Sequence, residues 1–205
     1  MNDSRSEQLA RLIASWPGLV SGPPADLVHD SLVLLDHIGE ARRIVDVGSG
    51  GGLPGLPLAI ARPELDFTLV EADQAKAAFL VQACATLRLG RVEVLARRAE
   101  DVGRDPRYRE AFDAAVARAV AAMPVLAELC LPLVRVGGRL LAQKTDSEDV
   151  HRAAHAISIL GGELVEVVPA PSAARRSGTI VIVAKVRPTP EAYPRRAGVP
   201  ARKPL

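Results

Sequence analysis

The chain has 205 residues, 48% hydrophobic and 24% charged, with a formal net charge of +2; this suffices for one well-buried domain and is too little for two of ordinary size. Only 3% of the residues are aromatic, so the core must come from Leu, Val, Ile and Ala, and no apolar run approaches the ~20 residues of a membrane-spanning helix. The opening Met-Asn-Asp-Ser-Arg-Ser-Glu lacks the basic-then-apolar order of a secretory signal, which makes the cytoplasm the expected compartment.

Residues 5 to 15 and 25 to 39 carry helical patterns, the second with Leu27, Val28, Leu32, Leu35 and Ile38 on one side. Trp16-Pro17-Gly18 and Ser21-Gly22-Pro23-Pro24 break the chain between them. From residue 43 the pattern alternates: short apolar runs at 43–47, 67–71, 92–96, 113–117 and 138–143 predict strands, each followed by a segment of helical character. Such an order implies a mainly parallel sheet, because parallel neighbours need crossovers.

The first strand runs into Asp46-Val47-Gly48-Ser49-Gly50-Gly51-Gly52-Leu53-Pro54-Gly55, and an apolar, helix-like segment follows. Glycines at 48, 50 and 52 let the backbone adopt positive φ and approach a ligand closely. A dinucleotide fingerprint would place its third glycine where Leu53 stands. The spacing therefore favours S-adenosylmethionine, which has no phosphate to present to a helix N-terminus. Asp46 is placed to orient the loop or meet the cofactor's ammonium. Glu71, 23 residues after Gly48 at the end of the second strand, is placed to accept hydrogen bonds from ribose hydroxyls. Ala99-Glu100, after the third strand, falls where such folds contact adenine.

After the fourth strand, where the chemistry is expected, the chain reads Ala117-Arg118-Ala119-Val120-Ala121. It has no Asn-Pro-Pro-Tyr motif to bind an exocyclic amine and no Pro-Cys nucleophile for attack on a pyrimidine carbon. A ring nitrogen such as guanine N7 has an exposed lone pair and no proton to lose, so alignment matters more than a general base. Arg118 offers a planar fork of donors for guanine O6, a phosphate or the cofactor carboxylate, and cannot act as a base.

A helix-like stretch at 147–160, Gly161-Gly162, the strand-like Glu163 to Val168, an irregular Pro169 to Gly178 and a last strand Thr179 to Val186 complete the pattern. Two late strands without a helix between them predict that the final one is antiparallel. The fold class is therefore α/β, the Rossmann-like layout of class I methyltransferases: a seven-stranded, mainly parallel sheet with its last strand antiparallel and helices on both faces. The expected organisation within one domain is an N-terminal helical segment (1–42), a cofactor-binding core (43–186) and an extended, basic, proline-rich tail (187–205).

Cys84 and Cys130 lie in apolar helical contexts without paired spacing and are expected as buried reduced thiols. His151 and His155 are four residues apart but lack the Glu of a zinc-binding helix, so no metal is expected and both are placed on the surface. From Arg175 to Leu205 the chain has eight Lys or Arg against one acid, Glu191, a local +7 that leaves the first 174 residues at −5. A basic end on a near-neutral body points to a polyanionic partner.

Taken together, these residues resemble the glucose-inhibited division protein B (GidB, RsmG) family, which methylates N7 of a guanine in bacterial 16S rRNA. The resemblance runs from about residue 26 to 205. It rests on Val45 to Pro57, Arg98-Ala99-Glu100, Ala117 to Ala121, Leu140-Leu141-Ala142-Gln143-Lys144, and the tail from Arg187-Pro188-Thr189-Pro190 through Tyr193-Pro194-Arg195-Arg196-Ala197-Gly198 to Arg202-Lys203-Pro204-Leu205. It implies cofactor contacts at Gly48, Leu53, Ala99, Glu100 and Arg118, with Glu71 as ribose acceptor. Lys144, Arg195, Arg196, Arg202 and Lys203 would face RNA, and the partner would be 16S rRNA or a small-subunit particle, met by a monomer. The front departs from the family pattern: Asp26-Leu27 stands where an Arg-His pair is usual, with His29 directly before Asp30-Ser31-Leu32. Two rival functions stay open on the residues, a cofactor- or RNA-binding paralogue without methyl transfer and a small-molecule methyltransferase.

Overall fold

A computed structural model of the chain describes residues 3–118, 120–145 and 150–205. At the front are the helices α1 (Asp3–Ala14), α2 (Pro24–Ser31) and α3 (Leu35–Ile38). The helix expected over 25–39 is interrupted by a tighter 3-10 turn at Leu32–Leu34. Seven strands then alternate with helices: β1 (Arg43–Val47), α4 (Gly55–Ala61), β2 (Asp66–Val70), α5 (Gln74–Leu87), β3 (Val92–Leu95), α6 (Ala99–Arg104), β4 (Phe112–Arg118), α7 (Met123–Cys130), β5 (Val134–Thr145), α8 (Ala154–Ile159), β6 (Gly162–Pro169) and β7 (Gly178–Lys185). A short α9 (Val199–Arg202) lies in the tail.

The strands form one sheet in the order β3-β2-β1-β4-β5-β7-β6. The first five pair in parallel, and β7 runs antiparallel to both β5 and β6. Four of the five residues in β1 and in β2 are buried, as in a parallel strand covered on both faces. Alternate side chains separate two cores. Ile44, Phe67, Leu69, Ala114 and Leu141 pack with Leu9, Val28, Ile38, Leu56 and Phe79 on the α1–α5 side. Val45, Val47, Val70, Ala115 and Leu140 pack with Val102, Met123, Leu126 and Ile157 on the α6–α8 side.

β5 is longer than the expected 138–143 because Val134–Val136 precede a bend at Gly137, φ +84°, and the register with β4 shifts between Phe112 and Ala114. Of the helix expected over 147–160, residues 147–149 lie outside the described residues; the rest forms a 3-10 turn, Val150–Ala153, followed by α8. His155 is exposed.

Residues 187–205 run against the body. Arg109 donates to the carbonyls of Thr189 at 2.7 Å and Tyr193 at 2.8 Å, and Arg104 Nε donates to that of Pro194 at 2.7 Å. Lys185, 1% exposed, sets its ammonium between the Glu110 carboxylate, the Leu131 and Val134 carbonyls and Thr189 Oγ1. Glu110 in turn accepts the Thr189 amide at 2.7 Å. Each of these groups would be costly to bury without its partner.

Candidate active site

β1 ends at Val47, and the chain turns through residues 48–54 before entering α4. The amides of Gly48 and Ser49 both donate to the Val70 carbonyl at the end of β2, at 2.8 and 3.1 Å, which pins the turn to the neighbouring strand. Gly48, Gly50 and Gly52 have φ of +70°, +54° and +83°, a region that penalises any residue with a Cβ. A Cβ on Gly50 would project into open space, its nearest neighbour being the Gly48 carbonyl at 3.9 Å. A Cβ on Gly52 would instead run into Leu56, so that glycine serves the packing of the loop on α4.

Asp46 is fully buried behind this loop and does not line the cleft. Its Oδ2 accepts the Gly55 amide at 3.0 Å, while Oδ1 has no hydrogen-bond partner. Burial pushes its carboxyl up to about 7, against the opposing pull of the Gly55 amide. A sheet residue covered on both faces is a poor ligand contact, and Asp46 orients the loop from below.

Above the loop is a cleft of about 780 Å³, lined by Gly48, Gly50 and Leu53, by Glu71, by Ala99 and Glu100, and by Arg118. The fold thus brings most of the cofactor contacts expected from the sequence to one cavity; Asp46 and Gly52 lie outside its lining. Glu71 accepts the Gly50 amide on Oε2 and the Asp73 amide on Oε1, both at 2.8 Å, and each carboxylate oxygen retains a second lone pair. Glu100, 5% exposed, accepts the Gly198 amide at 2.8 Å, and Gly198 and Ala201 join the lining. The tail is therefore a wall of the cleft.

At the opposite side Arg118 lies 3.5 Å from the carboxylate of Asp30 and 3.3 Å from the Leu27 carbonyl. Burial pushes its guanidinium down from its ordinary value, opposed by Asp30 and Asp46. Asp30 is fully buried and also receives Arg175 Nε at 2.9 and 3.1 Å and Ser172 Oγ at 2.5 Å. Asp30 and Arg175 were not legible as site residues; the Asp-Ser-Leu triplet was the one available signal.

The expected RNA-facing cations divide. Lys144 is 8% exposed and turns its ammonium inward to the Ala121 carbonyl, because β5 carries it under the cleft wall. Arg195 is bound by the fully buried Glu128 of α7, its Nη2 and Nε at 2.5 and 2.8 Å from the carboxylate. Neither presents its charge outward. Arg196, Arg202 and Lys203 are exposed, with Arg202 Nε on the Gly198 carbonyl. Lys76 and Arg98, not singled out by motif, also line the cleft.

Cys130 is buried and Cys84 partly so, both as free thiols. Burial pushes Cys84 up to about 11 and Cys130 further still, so neither is a ready nucleophile. Among the described residues no group of three or more His, Cys, Asp or Glu is arranged to hold a metal ion, and no helix is long and apolar enough to cross a membrane.

Sheet order, glycine loop and cleft define a class I S-adenosylmethionine-dependent methyltransferase. The fold resembles that of the O-methyltransferase from Bacillus cereus in complex with S-adenosylhomocysteine, with TM-score 0.65 and 20% identity over 89% of this chain and 91% of that one. It is likewise similar to the O-methyltransferase TomG from Streptomyces achromogenes in complex with S-adenosylmethionine, with TM-score 0.63 and 20% identity over 90% and 91% of the two chains.

The family described as rRNA small subunit methyltransferase G (GidB) matches residues 25–177, and the chain belongs to that family. Its relatives include the Ribosomal RNA small subunit methyltransferase G of Roseiflexus sp. (strain RS-1), 52% identical over 79% of this chain and 70% of that protein. The protein of the same name from Moorella thermoacetica (strain ATCC 39073 / JCM 9320) is 46% identical over 87% and 76%.

The cleft suits the cofactor on its own chemistry. Its size is that of a small-molecule site, its floor admits a ligand where Gly50 lacks a Cβ, Glu71 offers acceptors, and Arg118 offers donors.

Proposed function

We propose that the chain transfers a methyl group from S-adenosylmethionine to N7 of a guanine in 16S rRNA of the small ribosomal subunit. The observation that carries this reading is the state of the acids around the cleft. Glu71 accepts two backbone amides and keeps its remaining lone pairs for the ribose, Glu100 accepts the Gly198 amide, and Arg118 is a cation that cannot act as a base. Such a site is suited to an acceptor that has no proton to give up, and guanine N7 is one. The curated relatives bear the name of a small-subunit rRNA methyltransferase, which supplies the substrate class.

When bound, S-adenosylmethionine supplies an electrophilic methyl group on a sulfonium. Glu71 holds the ribose hydroxyls while keeping the glycine loop in place through Gly50. Arg118, on the opposite side of the cleft, would offer its donors to an acceptor oxygen and so orient the purine. Alignment of acceptor and methyl donor would provide the rate. Arg98 in the cleft lining and the exposed tail cations Arg196, Arg202 and Lys203 would meet phosphates. The same reading has the protein act in the cytoplasm as a monomer without a metal.

The test is methyl transfer from labelled S-adenosylmethionine to small-subunit particles from a strain lacking the modification, with the base mapped by N7-specific strand cleavage. Cleavage at one guanine is the expected result. Absence of incorporation, with cofactor binding demonstrated and an active relative succeeding in parallel, would overturn the reading.

A further inference from the structure

The buried carboxylate of Asp30 stands between two arginines that both line the cleft, and it holds them unequally. Arg175 approaches through Nε at 2.9 and 3.1 Å, and Ser172 Oγ adds a bond at 2.5 Å. Arg118 stands off at 3.5 Å. Arg175 is fixed from a second direction as well, since its Nη1 donates to the Lys144 carbonyl at 2.6 Å. Its guanidinium occupies space over Gly178, where a Cβ would fall 2.5 Å from Nη1 and 2.7 Å from the central carbon. The start of β7 is thus shaped to receive this side chain.

A fully buried carboxylate needs a counter-charge. We propose that Arg175 is a positioning residue, the counter-cation of Asp30, whose presence keeps Arg118 available to the cleft. Without Arg175 the carboxylate has Arg118 as its nearest cation among the described residues. It then draws that guanidinium toward α2, closing the 3.5 Å gap and withdrawing its donors from the bound ligand. The cluster joins α2, the ends of β4 and β5 and the loop before β7, four segments that no local motif connects. Its role as proposed rests on the reading of Arg118 as a cofactor- and substrate-facing residue.

The experiment is a mutant cycle on the full chain, read as S-adenosylhomocysteine affinity by calorimetry and as methyl transfer to small-subunit particles. Arg175→Met is expected to weaken S-adenosylhomocysteine binding about tenfold or more, and Arg175→Lys to recover part of it, since an ammonium still answers Asp30. Adding Asp30→Asn to Arg175→Met removes the charge that captures Arg118, and affinity is expected to return to within about threefold of the parent. Arg118→Met with Arg175→Met is expected to bind no worse than Arg118→Met alone.

An Arg175→Met protein that binds like the parent, a lack of rescue in the folded double variant, or additive losses would each overturn the proposal. If Arg175→Met does not fold, the comparison moves to Asp30→Asn with and without Arg175→Met. Equal affinities support the proposal, and a further loss overturns it. A parent protein that binds S-adenosylhomocysteine but methylates nothing counts against the rRNA reading, while the affinity cycle still decides the role of Arg175.

Discussion

Arg195 and Glu128 form a paired fork, with Nη2 2.5 Å from Oε2 and Nε 2.8 Å from Oε1, and the carboxylate is fully buried on α7. A cation expected to reach out to RNA instead fastens the tail to the body. Replacing Arg195 with Met leaves Glu128 buried and uncompensated, and is expected to cost ~3–5 kcal/mol of stability. Denaturant unfolding of this variant beside Arg196→Met, whose parent side chain is exposed, checks the assignment: Arg196→Met is expected to fall within ~0.5 kcal/mol of the parent.

The RNA-facing role is expected to appear in salt dependence. Neutralising Arg196 and Lys203 together should weaken binding to small-subunit RNA and reduce the slope of log affinity against log salt by about 1 for each phosphate that is no longer neutralised. Filter binding at several salt concentrations measures this, and S-adenosylhomocysteine affinity should be unchanged.

Gly50→Val should abolish cofactor binding at modest cost to the fold. The substitution places a β-branched residue at φ +54°, a cost of ~1–2 kcal/mol, and fills the open space above the loop. Gly52→Val should differ in kind, because a side chain there collides with Leu56 and approaches Leu80. Its main effect is expected on melting temperature. Calorimetry and thermal unfolding of the two variants separate the cases.

Asp46 gives the protein a pH signature. Its carboxyl is raised by burial from 3.8 to about 7 in the folded chain, so between those values the native state holds a proton that the unfolded state has released. Stability contributed by the neutral acid is complete below pH ~4 and is lost as pH rises toward 7, an effect on the order of 4 kcal/mol. Asp46→Asn, whose amide oxygen still accepts the Gly55 amide, should remove this slope. Urea midpoints of parent and variant at pH 5 and 7.5 provide the measurement: the parent should lose more ground on raising the pH.

Cys130→Ala should retain methyl transfer. The thiol is buried and pushed up by burial, so the variant loses packing, ~1 kcal/mol, and no chemistry. An assay with labelled cofactor at matched folded concentration decides this.

The sheet was largely legible because buried parallel strands are continuous apolar runs, and Ile44 to Val47 and Phe67 to Val70 read as such. The glycine loop was legible because positive φ demands glycine locally. Asp30 was not, since its partners Ser172 and Arg175 are 142 and 145 positions away. The tail was misjudged for a related reason. Counting its cations gives a charge and says nothing of Glu128, Glu110 and Glu100, which hold Arg195 and the amides of Thr189 and Gly198 from other elements. Gly137 and the register shift that extends β5 back to Val134 likewise depend on the neighbour β4.

The sheet order sets β7 between β5 and β6, so the strand synthesised after all the others takes an interior place. A nascent chain therefore carries an open β5 edge, and a β6 without a described sheet neighbour, until Lys185 has left the ribosomal exit. Arg175 sits just ahead of that strand and is seated over its first residue, Gly178. The arginine cluster therefore needs the segment before β7 in place, whereas the backbone hydrogen bonds that pin the glycine loop come from β2 alone.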